Sequence, residues 1–317
     1  MIEELVLENF RGFRKLDLQD LKPVNLIVGH NNTGKTSLLE GILLSCQPTQ
    51  GNNLPSMFRA THGPDELRYF PWLIRDGAQN DTATLKKCAD GVVKDKLIIT
   101  KSRRHSIDEH DLPLVTLGPL TLSYGPKRKD LICRVVSIQN HNSQSLVSLI
   151  GKAYRKRDGE ENFQNFFKII DSRIKRVRLV PGEDQESIQV VVDIGLSEML
   201  PLAQVGEGVY HLATILGNLI GEKTDVLLID EIENGLHHSV HRQIWAGLAK
   251  VAKELNVQIF ATTHSGECLQ AAHWAFLERK PYDFRVIQLF RSEGAVQGRV
   301  LDQEHIEAAI EADIELR

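Results

Sequence analysis

A chain of 317 residues is long enough to bury a large core and to hold one or two domains. Its hydrophobic content of 42% and charged content of 25% are those of an ordinary globular protein, which excludes fibrous and disordered classes. A formal net charge of −4 excludes a globally basic nucleic-acid binder, although charge is uneven along the chain. The opening MIEELVLENF alternates and is acidic, unlike a signal peptide, and no apolar run approaches membrane-spanning length, so a cytoplasmic protein is expected. Cys46, Cys88, Cys133 and Cys268 are scattered without a C-x-x-C pair, which points to reduced thiols rather than zinc or disulfides.

In chain order, residues 2–8 and 13–18 alternate apolar and polar around Asn9-Phe10-Arg11-Gly12 and predict a hairpin. Val24–Val28 reads as a buried strand. Gly29-His30-Asn31-Asn32-Thr33-Gly34-Lys35-Thr36 then fits G-x-x-x-x-G-K-[ST] at every fixed position, and a helical run carrying Ser37, Leu38, Leu39, Ile42 and Leu43 follows. Glycines let loop amides turn toward one point, and a helix start adds its unpaired N–H groups, so residues 29–37 predict a triphosphate cradle. Lys35 would reach the β- and γ-phosphates, and the Thr36 hydroxyl would ligate Mg²⁺.

Residues 46–64 are rich in Pro, Gly, Asn and Ser and read as a loop; 66–74 suggests a short helix or lid. Strand-like runs at 83–100, 114–124 and 131–139 are interrupted by basic pieces at 101–104 and 127–129. Helical spacing over 143–174, broken at Asp158-Gly159, predicts two helices. Their polar face carries many of the Lys and Arg residues between 152 and 178. A charge run of this kind is usually a solvated face, diluted here by acids, with DNA contact the alternative. Strands at 176–181 and 188–194 lead to alternating helix and strand: helix from 206, strand 226–229, helix 238–254, strand 257–261, helix 265–276. An apolar stripe at Val240, Ile244, Leu248, Val251 and Leu255 marks the core face of the 238–254 helix. A final strand pair, 285–291 and 296–301, precedes an acidic helix at 303–315. Alternation of this kind predicts an α/β chain with a mostly parallel sheet, an N-terminal antiparallel β lobe and an inserted helical piece. The expected division is 1–80, 81–190 and 191–317 within a single domain, the middle part inserted as a β arm plus the basic helical piece.

Asp225-Val226-Leu227-Leu228-Ile229-Asp230-Glu231 is an apolar strand ending in two carboxylates. Strand ends of a parallel sheet cluster beside the phosphate loop, so Asp230 can hold Mg²⁺ opposite Thr36 and Glu231 can orient the attacking water. The following strand ends in Thr262-Thr263-His264-Ser265, where His264 can report the γ-phosphate and Ser265 can cap the next helix. His237, His238 and His241 do not make a metal motif and read as solvated side chains.

These stretches together resemble the ABC-type ATPases of the SMC/RecF/OLD group: a Walker A at 29–36, a Walker B in LLIDEIENGLHHS, then FATTHS, with LVLENFRGFRKLDL as the N-terminal hairpin. The resemblance to OLD-like ATPases covers the ATPase domain from end to end. It implies a P-loop NTPase of ABC-ATPase type that binds ATP and Mg²⁺ and pairs as a homodimer or higher homo-oligomer. Leu202 to Gly208 matches the signature loop that completes a partner's site; Gly206 and Gly208 remain but the serine of LSGGQ is absent. Asn234-Gly235-Leu236-His237 matches the D-loop. The stretch after His264 is too short for the Toprim nuclease domain of OLD proteins, so an effector in trans is expected. Within that frame the residues support an ATPase that serves DNA repair or anti-phage defence. An ATP-held scaffold and, less well, a transporter nucleotide-binding subunit remain alternatives.

Overall fold

The structure, a computed structural model, describes residues 1–49, 70–75, 82–89, 92–101, 114–117, 120–124, 130–137, 143–170, 173–182, 187–292 and 294–316. The loop read over 46–64 past residue 49, residues 66–69, and the basic stretches 102–104 and 127–129 lie outside them.

The alternating N-terminus folds as the predicted hairpin, β1 (Glu4–Phe10) against β2 (Phe13–Leu18), with the turn in positive-φ backbone at Asn9 and Arg11. Five buried residues make β3 (Val24–Val28), and the helix Lys35–Cys46 follows the glycine loop. The next strands, β4 (Thr82–Ala89), β5 (Val92–Lys101), β6 (Leu114–Leu117) and β7 (Leu120–Tyr124), were expected in an inserted arm. Instead β4 pairs antiparallel with β1, and the six strands run β2-β1-β4-β5-β7-β6 as one antiparallel sheet. The physical reason is shared burial: Leu5, Leu7, Ala83, Leu85, Leu97, Ile99, Leu120 and Leu122 all enter one core.

A second sheet holds β8 (Cys133–Val136), β12 (Val226–Ile229), β13 (Gln258–Thr262), β14 (Phe284–Ser292) and β15 (Ala295–Leu301) together with β3, in the order β15-β14-β3-β13-β12-β8. All its pairings are parallel except β14 with β15. Side chains alternate across it, so this sheet divides two cores. Leu26, Leu227, Ile229, Ile259 and Ala261 face the helical side, whereas Ile27, Leu228, Phe260 and Ile287 face the N-terminal sheet and the Lys35–Cys46 helix. The helical side includes the predicted helix pair, observed as Ser143–Tyr154 and Gly159–Ile170, packed with the antiparallel strands β9 (Arg176–Pro181), β10 (Ile188–Asp193) and β11 (Leu200–Pro201).

Three local expectations shift. The 238–254 helix begins as a 3₁₀ turn, His238–Val240, and continues as helix His241–Leu255. Its buried face is Ile244, Trp245, Leu248, Ala249 and Ala252, while Leu255 is 44% exposed. Trp245 turns the face inward because it packs edge-on to Phe284, with ring centroids 6.3 Å apart. The terminal helix, expected over 303–315, stops at Glu311 with Asp302 as its N-cap, and Leu316 returns to the core, its carbonyl accepting a bond from Gln288.

Gln258 staples the N-terminal segment onto the central sheet. Its amide is fully buried; Oε1 accepts from Ile2 N–H at 2.8 Å, and Nε2 donates to the carbonyls of Ile2 at 2.8 Å and Lys22 at 3.0 Å. Gln258→Ala leaves two buried backbone groups and one half-buried one without those partners and is predicted to lower unfolding stability by about 3 kcal/mol. Urea unfolding checks this, and a loss under about 1 kcal/mol would show that these bonds are replaced by water.

Candidate nucleotide site

The glycine loop is built by backbone that side chains resist. Gly29 has φ 149°, and a Cβ there would lie 2.4 Å from the Leu289 carbonyl oxygen. Gly34 has φ 90° and caps the helix Lys35–Cys46, with the Phe13 ring against its open face. Thr33 Oγ1 donates to the His30 carbonyl at 2.8 Å and closes the turn. His30, Asn31 and Asn32 are exposed along the loop, and Thr36 and Ser37 are half-buried on the first helical turn. The Lys35 ammonium is buried and donates to the carbonyls of Gly29 at 2.6 Å and His30 at 3.0 Å.

The acidic strand end comes to the same place. Burial pulls the Lys35 pKa down, and the charges of Asp230, Glu233 and Glu231 oppose that pull. Lys35 and the β12 carboxylates therefore share one electrostatic neighbourhood. Asp230 is held above the usual carboxylate range chiefly by burial, and Glu231 is raised by burial and then by Asp230. Glu231 has φ 54°, an uncommon conformation for a non-glycine residue.

What fixes this strained end is Thr262, a residue sequence reasoning passed over. Its hydroxyl donates to Asp230 Oδ1 at 2.7 Å and accepts from Glu231 N–H at 2.8 Å. The Thr262 carbonyl takes Ile232 N–H at 3.1 Å. His264 Nε2 stands 3.8 Å from Glu231 Oε1, and its backbone N–H donates to Glu233 Oε1 at 2.7 Å. Ser265 caps the next helix, Gly266–Leu277, as expected, accepting from Cys268 N–H. The signal for Thr262 was present in the Thr-Thr-His-Ser run, but its partner became legible only with the sheet order.

The signature glycines separate. Gly206, φ 141°, lies exposed between the short turn Leu202–Val205 and the helix Glu207–Leu216. Gly208 is buried instead, and a Cβ on it would lie 2.1 Å from the Gly235 carbonyl oxygen, so it packs on the 231–237 turn.

Outside this site, His237 and His238 are exposed and stack on one another, and His241 is buried with its pKa lowered by burial. Among the described residues no group of three or more His, Cys, Asp or Glu is arranged to hold a metal ion. The four cysteines are buried and none is in a disulfide. Lys156, Lys168, Lys175, Arg176 and Arg178 line an open groove together with Asp158, Glu160 and Glu161. No helix among the described residues is long and apolar enough to cross a membrane.

Fold and site together resemble those of P-loop nucleotide-binding proteins of the ABC-like class. An AAA ATPase domain family matches residues 1–110, and the family described as "AAA domain, putative AbiEii toxin, Type IV TA system" matches 137–267. The chain is 20% identical to an ATP/GTP phosphatase of Helicobacter pylori (strain ATCC 700392 / 26695), over 85% of this chain and 87% of that protein. It is 27% identical to the DNA replication and repair protein RecF of Shewanella denitrificans over 40% of this chain and 36% of the relative. Among solved structures, an Smc head bound to the C-winged helix domain of ScpA superposes with a TM-score of 0.63 at 13% identity, covering 98% of this chain and 99% of that one. The SMC head domain from Thermotoga maritima gives a TM-score of 0.53 at 12% identity, covering 95% and 99%. By fold and motif the chain is similar to RecF/SMC-type, ABC-like ATPases.

The raised carboxylates carry a consequence for stability. A carboxyl whose folded pKa lies above its unfolded value stabilises the fold fully below the unfolded pKa, and that contribution is lost as pH rises through the folded pKa. Asp230→Asn is therefore predicted to raise the stability of the nucleotide-free protein at neutral pH by about 1 kcal/mol. The gain should vanish near pH 4, about where an ordinary Asp titrates. Thermal unfolding in EDTA at both pH values decides it, and a destabilised variant at neutral pH would refute the assignment.

Proposed function

We propose that the chain is a Mg²⁺-dependent ATP hydrolase that pairs through its nucleotide sites and drives or senses a DNA-linked process with an effector in trans. The observation that carries the reading is the convergence of Lys35 with Asp230 and Glu231 at the tips of parallel strands. In this reading the amides of residues 29–37 and the Lys35 ammonium hold the phosphates, and Thr36 with Asp230 would hold Mg²⁺, which screens phosphate charge. Glu231 accepts hydrogen bonds from the attacking water and orients it, and His264, close beside it, senses the γ-phosphate. Gly206, exposed at a helix start, serves a partner's γ-phosphate, whereas buried Gly208 supports it from behind.

The named relatives support hydrolysis and DNA-linked work: one is called an ATP/GTP phosphatase and another a DNA replication and repair protein. The Smc neighbour, solved with a domain of ScpA, supports a partner protein. The basic groove at 156–178 is the surface assigned to DNA in this reading. OLD-like anti-phage work, with the nuclease on another chain, is the finer form of the proposal.

Lys35→Ala is predicted to abolish ATP binding, and Glu231→Gln to bind ATP, lose hydrolysis and accumulate as an ATP-bound oligomer in size-exclusion chromatography. Undiminished turnover in Glu231→Gln removes Glu231 from this role. Thr262→Val, which loses both clasping bonds, should keep ATP affinity and lower turnover by roughly 10- to 100-fold, the usual effect of removing an outer-shell partner. Rates within about twofold of the parent would leave Thr262 without a positioning role.

A further inference from the structure

The hairpin turn and the helix after the phosphate loop meet through a buried ion pair. Arg11 Nε donates to Glu40 Oε2 at 2.7 Å, with the Glu40 side chain fully buried and that of Arg11 10% exposed. Both ends are fixed. Arg11 lies in positive-φ backbone, φ 53°, and its N–H donates to the Leu73 carbonyl at 2.9 Å. The helix lies so close to the hairpin that a Cβ on Gly41 would come within 3.0 Å of the Leu7 side chain and 3.2 Å of the Phe10 ring.

Holding the hairpin on the helix does not account for these charges. A buried ion pair stabilises a fold no better than well-packed apolar side chains of similar size, because desolvation offsets most of the attraction. What an apolar pair lacks is a field. Glu40 stands one helical turn after Thr36, and helical side chains lean toward the helix start, so its carboxylate is carried back over the turn that holds the Thr36 hydroxyl. It also reaches Asp230. Burial is the largest influence on the Asp230 carboxyl, and among the charges that act on it Glu40 outweighs Lys35. The fixed charge of Glu40 therefore falls on the space between Thr36 and Asp230.

We propose that Glu40 is a positioning residue for the cation, an outer carboxylate whose charge favours Mg²⁺ at Thr36 and Asp230, and that Arg11 holds it in place. The proposal rests on the reading of Thr36 and Asp230 as the metal's ligands, both of them oxygen donors of the kind a hard cation takes. Such a charge has opposite effects on the two forms of the nucleotide. It repels the bare triphosphate and favours the triphosphate that carries its cation. Glu40 thus makes the site discriminate Mg-ATP from free ATP.

Calorimetric titration of the full chain with ATP, once in EDTA and once in excess Mg²⁺, reads this as the gain in affinity that Mg²⁺ confers. Glu40→Gln is expected to cut that gain roughly tenfold, the usual scale for an outer-shell partner, while free ATP binds at least as tightly as to the parent. Glu40→Asp, which keeps the charge, should hold the gain within about threefold of the parent. Arg11→Gln added to Glu40→Gln removes the cation left buried, so this pair of amides folds and shows the same lowered gain. An unchanged gain in Glu40→Gln, equal losses in EDTA and in Mg²⁺, or the parent's gain in the double variant overturns the proposal. A parent protein whose ATP affinity does not respond to Mg²⁺ overturns instead the metal reading on which it rests.

Discussion

The arrangement depends on one hydroxyl at the tip of the middle strand. β13 lies between β3, which delivers the phosphate loop, and β12, which delivers the acids, so the two motifs never touch through their own strands. Register aligns Ile27 with Thr262 and Ile229 with Ala261, which ends all three strands at one level. Thr263 N–H then bonds the Ile27 carbonyl on one side, while Thr262 Oγ1 takes Asp230 and Glu231 on the other. A fully buried threonine thus converts sheet order into the spacing between a lysine and a pair of carboxylates.

Such a site is held against its own preferences. Two carboxylates sit above their ordinary pKa range, a lysine sits below its own, and Glu231 occupies backbone more natural to glycine. The burden is carried by the two cores on either face of the central sheet, whose strands contribute fully buried side chains to both. The inward-facing chemistry is affordable to the fold because β3, β12 and β13 carry no exposed residue.

Much of this was legible in the chain because it is local. Strand, glycine loop and helix follow one another in 24–46, so the pattern of residues names the structure directly. The break at Asp158-Gly159, the Ser265 cap and the closing strand pair were equally readable. Pairing between distant strands was not. Nothing near residues 82–89 announces that their partner is β1, since both strands are alternating and either could have paired elsewhere. The face of the 241–255 helix was misjudged by periodicity because one tryptophan outweighed the outlying Leu255. Thr262 escaped for the same reason as β4: its role belongs to neighbours far away in sequence.

Gly206 and Gly208 tie a helix start to the turn that follows the acidic strand. Gly206 faces outward, but two residues later Gly208 lies so close to Gly235 that a single methyl has no room between them. Gly235 belongs to the turn that starts at Glu231, where Asn234 N–H bonds the Glu231 carbonyl at 3.0 Å and Leu236 N–H bonds the Glu233 carbonyl at 3.0 Å. Glu233 in turn holds the backbone of His264. A helix start displaced at residues 206–208 must therefore carry this turn with it, since closely packed backbones do not yield separately. Glu231 is bonded into that same turn through its carbonyl and His264 through the Glu233 side chain, so the outer glycine, the carboxylate and the histidine belong to one packed unit.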